Sequence, residues 1–270
     1  MTRMHRVVVG PLPCWLDREQ LLAVPHTATE LPMGDVEVSA ELTSLQAADL
    51  AARLRGLCLA ARPIQVRCEP PLPRAAVRSA RAEDARRRRE TTAGFERRGV
   101  LVDDPEGRWS LTPEALALEM AGLAGQCSVC DAMCGLGGNA IAFARAGCEV
   151  TAIELDAARL ARARHNARVY GVLERIRFIH GDARSLLGDM DAALLFLDPP
   201  WGVKWNRHGV RLPDLPLLRA LLERADHFQR IWLKLPPAFD ERGLSEYRPQ
   251  AVFGKAPGDQ ARVKFLWLQR

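Results

Sequence analysis

From residue 112 onward the chain repeats one rhythm, in which a short apolar run, a turn and a longer stretch of helical spacing follow one another. Runs at 127–132, 149–153, 176–180, 192–197 and 230–234 are apolar without strict alternation, which predicts strands buried on both faces. Between and before them, 113–123, 138–146, 157–170, a short piece at 183–187 and 215–225 carry helical spacing. Strands joined through helices of this length have to run parallel, through right-handed crossovers, with helices covering both faces of the sheet. The expected fold class is therefore α/β with a mostly parallel sheet. Two late runs, 246–253 and 262–268, have no helix between them and are expected to form an antiparallel hairpin at the sheet edge. Thr112 is expected to cap the first helix, with Pro113 at its first position.

The first part of the chain lacks this rhythm. Residues 6–10, 36–40 and 64–68 are strand-like, 45–60 has helical spacing, and Pro70, Pro71 and Pro73 stop the pattern. From 75 to about 90 the chain is helix-permissive and strongly basic, after which Gly94, Gly99 and the turn-forming run 103–107 break it up. This predicts a small α+β accessory domain over 1–90, ending in a basic helix, and a larger domain over 91–270.

Charge falls unevenly along the chain. Between Arg74 and Arg98 there are nine arginines against four acids, which equals the whole formal excess of +5. Such a segment fits contact with the phosphates of a nucleic acid, and fits equally a solvated arginine-rich helix. No apolar run reaches the roughly 18 residues that cross a bilayer, so no membrane partner is expected, and a cytoplasmic location with reduced cysteines fits the composition. Cys127, Cys130 and Cys134 have a spacing that hints at a metal. On a buried strand, however, Cys127 and Cys130 point to opposite faces, so no metal is expected.

In a parallel sheet the ligand lies at the carboxyl ends of the strands, so the loops there carry the chemistry. The first reads D-A-M-C-G-L-G-G-N, from Asp131 to Asn139. Its glycines let a backbone approach a ligand and the following helix offers free N–H groups. The glycine spacing is not that of a dinucleotide fingerprint, and the leading acid suits an amino group better than a diphosphate. The second strand ends at Glu154, a carboxylate placed to accept two ribose hydroxyls. The third is followed by Asp182 and Ala183, suited to an adenine edge, although an aspartate there can equally cap a helix. The fourth is followed by Asp198-Pro199-Pro200-Trp201-Gly202. Two prolines make a rigid turn whose carbonyls compete with no N–H of their own. A planar amino group can then donate to the Asp198 carboxylate and the Pro199 carbonyl, while Trp201 gives a face on which a base stacks.

These loops resemble the class I S-adenosylmethionine-dependent amino-methyltransferases, a Rossmann-like fold. The segment E-G-R-W-S-L-T-P-E from Glu106, the first glycine loop, the stretch A-I-E-L-D-A-A-R-L-A-R-A-R-H-N-A-R-V-Y-G and the D-P-P-W-G turn are similar to the RNA cap guanine-N2 methyltransferase family that includes trimethylguanosine synthase. The likeness runs from about residue 95 to 202. It implies S-adenosylmethionine as cofactor, held by Thr112, Asp131, Cys134, Gly135, Gly137, Asn139, Glu154, Leu155, Asp182, Ala183 and Asp198. It also implies catalysis at Asp198, Pro199, Pro200 and Trp201, with Glu106, Asn166, Trp201 and Lys204 at the methyl acceptor, the exocyclic N2 of guanine in RNA. The chain departs from the family at Asp198, where the family has serine, and at Val203-Lys204, where the family continues Gly-Pro. The same turn could orient a glutamine amide, a DNA base amine or a small-molecule amine, and a non-catalytic RNA-binding module is a further reading.

Overall fold

The computed structural model describes residues 3–13, 18–31, 35–55, 58–59, 62–90, 99–102, 104, 110–202, 209–256, 259–261 and 263–269. Chain order in the first part is β1 (Met4–Pro13), α1 (Arg18–Leu22), β2 (Thr27–Glu30), β3 (Asp35–Thr43), α2 (Ser44–Arg53), β4 (Cys58–Leu59), β5 (Arg62–Pro63), β6 (Gln65–Glu69) and α3 (Arg74–Glu90). Four strands form an antiparallel sheet in the order β2-β3-β1-β6. Val7 and Val9 of β1 and Val36 and Val38 of β3 alternate inward, as a half-buried sheet requires. Thr43 and Gln46 close a reciprocal capping box at the start of α2. The helix expected over 45–60 ends instead at Arg53, because Cys58 and Leu59 commit their backbone to pairing with Pro63 and Arg62.

The second part runs α4 (Glu114–Ala124), β7 (Ser128–Asp131), α5 (Gly138–Arg145), β8 (Glu149–Glu154), α6 (Ala157–Tyr170), β9 (Ile176–His180), α7 (Ala183–Leu186), β10 (Leu194–Leu197), α8 (Pro216–Leu222), β11 (Arg230–Leu235), β12 (Gln250–Val252) and β13 (Lys264–Gln269). The seven strands lie in the order β12-β13-β11-β10-β7-β8-β9. The five from β9 to β11 are parallel to one another, and β13 is antiparallel to both its neighbours. The expected α/β sheet is therefore present. Residues 250–252 and 264–269 form the expected antiparallel hairpin at the sheet edge, with β13 paired to β11 and β12 outermost. Phe265, Leu266 and Leu268 of the inner strand are almost fully enclosed.

Period-two alternation sends successive β10 residues to opposite layers. Leu194 and Phe196 join a cluster with Leu116 and Met120 of α4, Ile141 of α5 and Ala163 of α6. Leu195 and Leu197 join Leu187, Leu218, Leu221 and Leu222 on the other face. That second cluster continues into Val7, Val9, Leu12 and Leu50, so the N-terminal unit shares its apolar interior with one face of the seven-stranded sheet. Thr112 does not cap α4. Pro113 takes the N-cap position with no side-chain cap, and the Thr112 side chain is turned inward and fully buried.

Candidate active site

Strand order reverses at β7, whose neighbours are β8 on one side and β10 on the other. Loops leaving two adjacent strands in opposite directions open a crevice at their carboxyl ends. Backbone hydrogen bonds stitch the loops there: Ala132 N donates to Phe196 O at 3.1 Å, Cys134 N to Ile153 O at 2.9 Å, and Gly181 N to Glu154 O at 3.0 Å. The ends of β7, β8, β9 and β10 are thus fixed against one another before any ligand arrives.

Asp131 ends β7 with 0 % exposure, and neither carboxylate oxygen has a hydrogen-bond partner among the described residues. The Thr112 hydroxyl is buried and unpartnered in the same way. Burial pushes the Asp131 carboxyl up to about 8; the nearby Asp198 and Glu154 raise it too, while the Met133 N–H, which makes no full hydrogen bond to it, and Lys234 pull it down. An isolated, enclosed carboxyl of this kind is costly unless something fills its hydrogen-bonding capacity. An ammonium would do so and would restore the charge.

The following turn is built around glycines in left-handed conformation, Gly135 at φ +55° and Gly137 at φ +87°. At Gly137 a side chain would stand 3.1 Å from the Ala163 Cβ, so this glycine lets α5 and α6 close on one another. At Gly135 a side chain would meet only the Ser110 hydroxyl at 3.9 Å, which leaves the backbone open to a ligand. Glu154 bridges two loops, accepting from Gly135 N and Asp156 N, each at 2.9 Å. Each of its oxygens keeps a further lone pair for a ribose hydroxyl. Leu155 beside it is 66 % exposed, an apolar surface at the crevice rim, and Ala183 is buried. Cys134 is buried, and burial together with the Asp131 and Glu154 charges holds its thiol protonated. Asn139 is partly exposed in the first turn of α5.

Asp182 takes the alternative that the sequence left open. It caps α7 through Arg184 N at 2.9 Å and pairs with the Arg184 guanidinium at 2.5 Å, which holds its carboxyl below the usual range. Its lone pairs are largely committed in this structure. Asn166 requires a correction. It is buried, its Oδ1 accepts from Leu101 N at 2.7 Å, and its Nδ2 donates to Leu101 O and Leu136 O at 3.1 and 3.0 Å. With every amide group committed to backbone, it clasps the segment at 101 and the glycine loop to α6 rather than presenting an edge to an acceptor. Asp104 reinforces the clasp through Arg159 at 2.5 Å, and His165 through the Gly99 carbonyl at 2.9 Å. Glu106 and Lys204 lie outside the described residues.

At the end of β10 stand Asp198, the buried Pro199, the exposed Pro200 and the half-buried Trp201. Sequence reading missed the residue that completes this corner. Lys234, in the apolar run that follows Arg230 in β11, is buried, and its ammonium donates to Asp198 Oδ2 at 2.6 Å and to the Ser110 carbonyl at 2.5 Å. The same ammonium lies 5.9 Å from the centre of the Trp201 ring, and Trp201 Nε1 donates to the Lys234 carbonyl at 3.4 Å. Burial raises the Asp198 carboxyl, and Lys234 opposes that rise. The signal was available: a lysine within I-W-L-K-L is a charge inside a buried strand and must have a partner.

Parts of the chain are similar to known proteins. Residues 126–240 match the model of the family described as RNA cap guanine-N2 methyltransferase. The trimethylguanosine synthase of Schizosaccharomyces pombe is 36 % identical over 109 residues, 37 % of this chain and 45 % of that protein. An uncharacterized RNA methyltransferase of Gloeobacter violaceus is 40 % identical over 73 residues, 27 % of this chain and 16 % of that protein. The chain thus spans less than half the length of these curated relatives. Among solved structures, TrmN from Thermus thermophilus covers 99 % of this chain and 100 % of its own at 20 % identity and a TM-score of 0.47. The segment that builds β7 to β11 and its loops is thus similar to the RNA cap guanine-N2 methyltransferase family.

Proposed function

We propose that this protein transfers a methyl group from S-adenosylmethionine to the exocyclic N2 of a guanine in RNA. The observation that carries the reading is the juxtaposition of an unsatisfied carboxyl and a rigid acidic corner at one crevice. A buried Asp131 carboxyl without partners ends β7, and an Asp198–Pro199 corner backed by Trp201 follows the adjacent β10.

The residues fit the cofactor. Asp131 would take its ammonium, the Gly135 backbone and Thr112 its methionine end, and Glu154 its ribose hydroxyls. Leu155 and Ala183 would flank the adenine, with Asp182 reaching its amine on release from Arg184. When bound, S-adenosylmethionine supplies a methyl carbon already activated by its sulfonium, so the chain has chiefly to position the acceptor. Asp198 and the Pro199 carbonyl accept the two N–H groups of the planar amine and hold its lone pair in one direction. Trp201 stacks the base, a contact worth about 1–3 kcal/mol. Asp198 stabilises the positive charge that develops on nitrogen and is placed to receive the departing proton.

The accessory domain over 1–90 and its basic end would supply RNA contact. Arg74, Arg78 and Arg81 are exposed and recur at one-turn spacing on α3, a stripe that can follow a phosphate backbone. Labelled cofactor incubated with total RNA, followed by nucleoside analysis, tests the reading: N2-methylated guanosine is expected, and label only in protein or in RNase-resistant material refutes it. Asp198, in place of the family's serine, favours a second reading in which the acceptor is another planar amine, such as a DNA base or a glutamine amide.

A further inference from the structure

The acceptor corner contains a cation that neither the loop motifs nor the family resemblance assigns. Lys234 reaches across from β11 to Asp198 Oδ2 at 2.6 Å, with side-chain exposures of 6 % and 11 %. It is anchored on its other side by the Ser110 carbonyl at 2.5 Å, so the ammonium is fixed rather than swinging free. Asp198 Oδ1 accepts no hydrogen bond among the described residues and is not enclosed. The pair thus divides the carboxylate into a used oxygen and an available one.

We propose that Lys234 is the positioning and specificity residue of the acceptor site: it keeps Asp198 a carboxylate with Oδ1 free for one acceptor N–H, and its charge restricts the site to neutral, planar nitrogen. This rests on the reading that the Asp198 corner receives the methyl acceptor. Two physical arguments support it. Burial raises the Asp198 carboxyl and the Lys234 ammonium hydrogen-bonded to its Oδ2 opposes that rise, so without this cation the corner would be driven toward the neutral acid. A protonated carboxyl could not accept both from an amine and from a proton leaving it. Conversely, with Lys234 in place the corner is already charge-balanced, and a second ammonium would stand beside a fixed cation with little compensation. Exocyclic base amines and amides carry no charge at neutral pH and escape that penalty, whereas aliphatic amines do not.

The test follows the Asp198 carboxyl by carbon-13 NMR in the full chain, identified by its loss in Asp198→Asn. Lys234→Met is expected to raise its titration midpoint by one unit or more, whereas Lys234→Arg, which keeps the cation, holds it near the wild-type value. With an RNA acceptor, the acid limb of kcat/KM should move up by the same amount in Lys234→Met, for a one-unit shift a loss of about fivefold against wild type one unit below the new limb. Activity at high pH should change far less. Addition of n-butylamine, present as an ammonium, should shift the Asp198 signal in Lys234→Met and leave the wild type unmoved. A midpoint unchanged by Lys234→Met, or a wild-type signal as responsive to n-butylamine as the variant's, overturns the proposal. Should Lys234→Met fail to fold, a midpoint in Lys234→Arg displaced by more than a unit overturns it, and an unchanged one supports it. The titration needs no acceptor, so an absence of methylated guanosine alongside the expected midpoint shift would refute the RNA reading alone.

Discussion

Replacing Asp131 by asparagine should stabilise the cofactor-free protein while abolishing cofactor binding, and both effects follow from one buried carboxyl. In the unfolded chain it ionises at its ordinary value of 3.8, and in the fold at about 8. A carboxyl raised in this way weakens the folded state progressively as pH climbs from the unfolded value toward the folded one, after which the penalty is constant. At pH 7 about three units separate the unfolded value from the ambient pH, which at about 1.4 kcal/mol each amounts to roughly 4 kcal/mol. Asparagine removes this term but still buries an unpartnered amide, at about 1–3 kcal/mol. The net gain is thus about 1–3 kcal/mol, or roughly 5 °C in Tm for a chain of this size. Thermal melts of both proteins from pH 5 to 9, without cofactor, isolate the term: the variant's advantage should grow with pH up to about 8 and then level off. Saturating S-adenosylmethionine should raise the wild-type Tm and leave the variant unchanged. An asparagine variant no more stable at pH 8 than at pH 5, relative to wild type, would refute the reasoning.

Trp201→Ala should lower kcat/KM for an RNA acceptor by about 5- to 150-fold through lost stacking, while calorimetry finds cofactor affinity nearly unchanged; an equal loss of both would contradict its assignment to the acceptor side. Gly137→Ala should destabilise the fold by about 1–3 kcal/mol, since a side chain there is strained by its left-handed backbone and meets Ala163, measured by urea unfolding. Gly135→Ala has room but the same unfavourable hand, so its larger effect should appear in cofactor titrations. Changing Arg74, Arg78 and Arg81 together to glutamine should weaken RNA binding and reduce the salt dependence of log Kd by up to about 0.7 per phosphate contact removed; an unchanged slope would mean that α3 is a solvated face.

Strand-and-helix alternation alone was enough to read the parallel sheet, because strands buried on both faces must be apolar throughout and must be joined by crossovers. The loops carrying Asp131, Glu154, Asp182 and the Asp198–Trp201 turn were legible for a related reason: in such a sheet all of them end up at one edge. Three features were not legible. Which strand of the edge hairpin lies beside β11 depends on what covers Phe265 and Leu266, which local pattern does not state. Asn166 lies in the family-like stretch, but its amide is consumed by the backbone at 101 and 136, partners 65 and 30 residues away. Lys234 and Asp198 are 36 residues apart and meet only because β10 and β11 pair in register. The sequence by itself determined the layers and the order of the loops, since these follow from periodicity and connectivity. Which charged groups face one another inside the crevice, and so which carboxyls are ionised there, was decided by the tertiary structure, because burial and pairing across strands set those charges and neither is a local property of the chain.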